Sequence, residues 1–72
     1  MTNYKTKRIH PHLEYPRTVS INKRFIGVLD RPRPRSFEAY AYAPDLHFCK
    51  GAKLRTGSKR ECLVEMHIAS VQ

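Results

Sequence analysis

Three arginines at alternate positions, Arg31, Arg33 and Arg35, are separated by Pro32 and Pro34. Arginine's planar guanidinium donates two parallel hydrogen bonds to a phosphate, and proline stiffening lowers the ordering cost of binding. The run therefore fits a clamp for phosphates or for an acidic surface. The spacing is Pro-x-Pro, so it does not fit the Pro-x-x-Pro ligands of SH3 domains. Tyr40 and Tyr42 lie two positions apart in an alternating stretch, where exposed aromatics can stack unpaired bases. A second-layer packing role is the competing reading for both.

His47, Cys49, Cys62 and His67 have the residue types of a zinc site. Their spacing argues against one. A one-residue gap separates the first pair, and Cys62 and His67 differ by five, which places them on opposite faces of a regular strand. Two buried thiols are the simpler reading, and no metal or other cofactor is expected. Asp45 with His47, and His10 with His12, could pair as acid and base. No activated serine, glycine-rich phosphate loop or carboxylate cluster accompanies them, so no enzyme is expected.

Charge carries more information. The 72 residues hold 14 Lys and Arg against 6 acids, a net of +8. Residues 1–35 account for +7, with only Glu14 and Asp30 opposing nine cations; residues 36–72 account for +1. A fold needs no such asymmetry, whereas a polyanionic partner uses it. The candidate contacts are Lys5, Lys7, Arg8, Arg17, Arg24, Arg31, Arg33 and Arg35, with Tyr40 and Tyr42.

The elements that position these residues read as mainly β. Residues 1–16 hold two prolines and no apolar period, giving an extended basic arm. Residues 17–72 form the single small domain. Residues 17–29 are rich in β-branched types and form one long strand or a hairpin turning at Asn22-Lys23. The Arg31–Arg35 run reads as a linker. In residues 36–43, Phe37, Ala39 and Ala41 alternate with Glu38, Tyr40 and Tyr42, a strand pattern ending at Pro44.

Residues 46–54 and 60–69 match as a hairpin around Thr56-Gly57-Ser58, with Leu46 facing Ile68, Phe48 facing Met66 and Lys53 facing Glu61. The rival is a helix from about residue 59, signalled by the capping-box pattern Ser58-Lys59-Arg60-Glu61. The expected fold is a small antiparallel sheet, a meander or SH3-like partial barrel. The alternative is α+β with that C-terminal helix. The expected core is Val19, Ile21, Phe25, Leu29, Phe37, Leu46, Phe48, Val64, Met66 and Ile68.

No apolar run approaches the ~20 residues of a membrane helix, and no secretory signal is seen, so a cytoplasmic protein is expected. Together these features point to a small non-enzymatic protein that binds DNA or RNA through phosphates with little base specificity. The alternative is a protein-binding module or inhibitor, of the phage or plasmid accessory type, docking on an acidic host surface. A sheet this small has exposed edges, which makes a homodimer a further expectation.

Overall fold

The computed structural model describes residues 3–72. Five antiparallel strands follow one another as a meander: β1 (Lys5–Arg8), β2 (Arg17–Ile21), β3 (Arg24–Arg33), β4 (Ser36–Tyr42) and β5 (Lys50–Gly57). Helix α1 (Lys59–Ser70) then packs across one face of the sheet, against β3, β4 and β5.

Each junction has a local cause. Between β2 and β3 the chain turns at Asn22 and Lys23, which both take positive φ (51° and 67°) while Ile21 pairs with Arg24. Two consecutive left-handed residues make the tight turn whose twist matches a hairpin, and asparagine tolerates that conformation. The stretch 17–29 is thus a hairpin.

The Arg-Pro run is not a linker. β3 continues through Arg33, the turn falls at Pro34–Arg35, and Arg33 pairs with Ser36. A register irregularity between Asp30 and Arg33 accommodates Pro32, which has no amide to donate to the ladder.

The hairpin expected between 46–54 and 60–69 does not form. β5 instead pairs with β4, and the chain beyond it is helical. The capping box decides the matter. The Glu61 backbone N–H donates to the Ser58 hydroxyl (3.2 Å), and the Ser58 N–H donates to the Glu61 carboxylate (3.0 Å). Two otherwise orphaned donors are satisfied reciprocally, so a helix start outcompetes strand continuation.

The helix buries Cys62 and Met66, one turn apart, against Val19, Ile26, Leu29 and Ala39. Small residues beneath it permit the close approach. A side chain on Gly27 would collide with the Met66 thioether and stand 2.7 Å from the Tyr40 carbonyl oxygen. Ile21 and Phe37 pack against this cluster from its edge.

Four members of the expected core are exposed. Leu46 (54%) lies in the turn before a 3-10 segment (His47–Cys49), and Phe25 (49%) points to the face away from the helix. Val64 and Ile68 sit on the helix's outer side. The apolar positions of residues 60–69 had implied a buried strand face. Wound as a helix, only the Cys62–Met66 stripe and Leu63 meet the sheet.

Directly opposed residues on neighbouring strands share a face. Val19 and Gly27 face the helix, so the row Lys7, Thr18, Val28, Tyr40 and Lys53 faces away from it. The row Lys5, Ser20 and Phe25 faces the same way, as do Asp30, Glu38 and Thr56. Among the described residues, no helix is long and apolar enough to cross a membrane.

Candidate nucleic-acid interface

The register divides the candidate cations into three groups. The first gathers at one end of the sheet. Arg8 of β1 pairs with Arg17 of β2, and Arg17 in turn pairs with Leu29, from which β3 runs on to Arg31 and Arg33. Arg35 lies in the turn that follows. Tyr15, in the β1–β2 connection, organises this end. The Arg31 guanidinium lies 4.8 Å from its ring centroid and the Arg17 guanidinium 5.5 Å, while the ring meets Phe37 edge-on at 5.8 Å.

Glu14 adds two contacts here. Its backbone oxygen accepts from Arg17 Nε at 2.7 Å, and its carboxylate stands 3.6 Å from Arg31. Two guanidiniums are therefore fixed on one aromatic ring beside a third, with a single carboxylate at hand. Arg8 directly across from Arg17 is a like-charge cross-strand pair, which weakens a sheet unless an anion joins it.

The second group lies on the open face: Lys5 and Lys7 from β1, with Tyr40 and Tyr42 from β4. The centre of this face is neutral. Lys50 reaches Asp30 at 2.7 Å with its ammonium 4.4 Å from the Tyr40 ring centroid, and Lys53 reaches Glu38 at 2.9 Å. The Tyr40 hydroxyl donates to the other Glu38 oxygen at 2.8 Å.

These contacts shift both acids. The Lys53 hydrogen bond, and then that of Tyr40, hold the Glu38 carboxyl below its ordinary value. Burial, and then the Glu38 carboxylate, push the Tyr40 phenol up to about 12. Tyr40 is thus occupied by Lys50 and Glu38. The exposed stacking surface belongs to a different pair: Phe25 and Tyr42, with ring centroids 4.8 Å apart and planes 19° from parallel. Phe25 belongs to the expected core, and the structure exposes it. A bulge in β3 opposite Val19 and Ser20 changes the alternation before it, so no sequence pattern marks Phe25 as exposed.

The third position is Arg24, at the opposite end of the sheet from the arginine cluster. Its Nη2 donates to the Ser70 hydroxyl (3.1 Å) and carbonyl (3.3 Å), tying β3 to the last helical turn.

Five of the six acids are engaged in ion pairs: Glu14, Asp30, Glu38, Glu61 and Glu65. Apart from Glu14, each is matched to a cation of the C-terminal half, with Arg55 serving both Glu61 (2.6 Å) and Glu65 (3.7 Å). Among the described residues, Lys5, Lys7, Arg8, Arg17, Arg24, Arg33 and Arg35 have no carboxylate partner.

No known family model, curated protein or solved structure matches the chain. Its chemistry must be read from its own geometry.

That geometry separates the four zinc-type residues. Cys62 is buried under the sheet, where desolvation raises its thiol pKa, and its sulfur lies 3.9 Å from the Arg55 carbonyl oxygen. His67 meets the Tyr4 ring edge-on, while His47 and Cys49 sit in the turn before β5. No group of three or more metal-binding side chains occurs among the described residues. The His10 side chain accepts the His12 backbone N–H at 3.2 Å, which gives it a role within its own loop.

Proposed function

We propose that the protein is a small non-enzymatic nucleic-acid binder that grips phosphates at the arginine-rich end of its sheet. The observation that carries this reading is the Tyr15 assembly. Arg17 and Arg31 are held on one ring next to Arg8 and the Arg33–Arg35 turn, with Glu14 as the one carboxylate engaged there. Holding guanidiniums in place before the ligand arrives reduces the ordering cost of binding. Phosphate contacts supply affinity and little base specificity, because sequence is read at base edges.

A cytoplasmic setting goes with this reading, since Cys49 and Cys62 are both free thiols. An acidic protein surface is the alternative, because a carboxylate accepts the same paired hydrogen bonds from a guanidinium as a phosphate does.

Fluorescence anisotropy with labelled DNA and RNA at two salt concentrations tests the proposal. Retention that weakens steeply with salt supports it. Absence of retention at low salt, together with recovery of one acidic protein partner, replaces it with the protein-docking alternative.

A further inference from the structure

We propose that the Phe25–Tyr42 pair, with Arg24 beside it, is a seat for one unpaired base, so that the preferred ligand is a single-stranded nucleic acid. This rests on the nucleic-acid reading above and narrows its substrate class.

The seat begins with Phe25. The residue is 49% exposed, and its ring stacks nearly parallel on Tyr42. Burying a phenylalanine side chain stabilises a protein by about 1.5–3 kcal/mol. This one is left half in water although the sheet's other face has an apolar cluster. A third flat ring laid on the pair completes the burial that the fold leaves unfinished. Every base has a π-face to offer, but in a duplex both faces are covered by neighbouring pairs.

The space for it is present. A cleft of about 360 Å³ at this end of the sheet is shared by Arg24, Phe25 and Tyr42 with Leu54 and the helix residues Ala69 and Ser70, so it adjoins the pair at the sheet's end and is not on the open face alone. That is at the small end of the size range of ligand sites, which suits a single flat ring system.

The charges around the seat suit a phosphate chain. Arg24 donates to the hydroxyl and carbonyl oxygens of Ser70 at the helix C-terminus and has no carboxylate partner among the described residues. A guanidinium has five N–H donors, and Nη2 alone is engaged here. Lys5 shares the open-face row with Phe25 through Ser20, which puts the two strands' backbones about 10 Å apart at ~4.8 Å per strand. Lys7 follows one row further along the face, and neither lysine has a carboxylate partner among the described residues. From Phe25 along β3 to Leu29, level with Arg17, is about 13 Å at ~3.3 Å per residue. A strand seated on Phe25 therefore has Lys5 and Lys7 beside it on the open face, whereas Arg8 and Arg17, level with core Leu29, belong to the sheet's other face.

The test compares the full chain with Phe25→Ala and Phe25→Leu, using a single-stranded oligonucleotide carrying 2-aminopurine and a duplex of the same length. The leucine variant keeps an apolar side chain on Tyr42 and removes only the stacking ring. Circular dichroism establishes that each variant is folded. Both variants are expected to lose roughly 5- to 150-fold in single-strand affinity, the range for one stacked base, with duplex affinity little changed. Quenching of 2-aminopurine by the wild type should vanish in both. Equal single-strand affinity for the wild type and folded Phe25→Leu overturns the seat while leaving phosphate binding intact. Failure of the wild type to retain either nucleic acid at low salt overturns the underlying reading and the seat with it.

Discussion

Replacing Arg31, Arg33 and Arg35 together by alanine gives the sharpest test of the phosphate-gripping end. If Arg8, Arg17 and these three each meet a duplex phosphate, the slope of log affinity against log salt is about −4.5, at ~0.9 per contact. Raising salt from roughly 50 to 200 mM then weakens binding about 500-fold. The triple variant keeps two contacts, so its slope falls to about −1.8 and the same change in salt costs only about 12-fold.

The structural consequence should be small. Arg33 and Arg35 are exposed and carry no ion pair among the described residues. Arg31 contributes its contact with the Tyr15 ring, ~0.5–1 kcal/mol at such a site, and a long pairing with a well-exposed Glu14 that adds little. The stability loss is therefore on the order of 1 kcal/mol, checked by urea titration. Anisotropy across a salt series reads the slope. An unchanged slope refutes the reasoning, as does an affinity loss that is the same at every salt concentration. Unfolding of the variant would show that the run is a structural element in its own right.

Three further outcomes follow from the packing and the ion pairs. Gly27→Ala should destabilise by about 1–3 kcal/mol in urea titration, because the added methyl meets Met66 and the Tyr40 carbonyl; an unchanged midpoint would show that the helix can shift away without cost. Ser58→Ala removes the acceptor of the capping box and should cost about 1 kcal/mol, with loss of helical ellipticity before loss of sheet on heating. The Tyr40 phenol is raised from 10.0 to about 12 in the folded state, so its contribution to stability is complete below pH 10 and is lost as pH rises towards 12. Tyr40→Phe should lack that alkaline loss, and parallel melting curves for the two proteins across this window would contradict the raised phenol, which burial and then the Glu38 hydrogen bond produce.

Alternation was legible in the sequence, and the β2–β3 turn only as one of two readings of residues 17–29. Phe37 and Ala39 face the core while Glu38, Tyr40 and Tyr42 face away, as their spacing requires, and Asn22-Lys23 turns the β2–β3 hairpin. The C-terminal third was legible only in its local signal. Ser58 and Glu61 announced a helix start, but the cross-strand matches of 46–54 with 60–69 were equally regular on paper. Those matches could not reveal that β4 was the better partner for β5. Bulges hid the rest. Two register shifts set the β4–β5 pairing in which Lys53 reaches Glu38, and winding of residues 59–70 as a helix gives Glu61 to Arg55 where the hairpin register had joined it to Lys53. The bulge in β3 likewise exposes Phe25.

The uneven charge of the two halves has a structural origin. In the C-terminal half, Lys50, Lys53 and Arg55 clamp strands and helix together: Lys50 joins β5 to β3, Lys53 joins β5 to β4, and Arg55 joins β5 to α1. These bridges consume Asp30, Glu38, Glu61 and Glu65, which leaves Glu14 and Asp45 to balance every other cation. The strands at the other side of the sheet show no such clamps among the described residues: β1 pairs with β2, and β2 joins β3 through a tight turn and a ladder with one bulge. Arg17, Arg24 and Arg31 make contacts within the fold, but Lys5, Lys7, Arg8, Arg33 and Arg35 have no carboxylate partner among the described residues, and their self-repulsion is a cost to it. Arg8 facing Arg17 is the plainest case, because either residue could be neutral without disturbing a backbone hydrogen bond. Positive charge without carboxylate partners, segregated from the clamped half, is what the proposed anionic ligand would use at the arginine end of the sheet and on the open face beside β1.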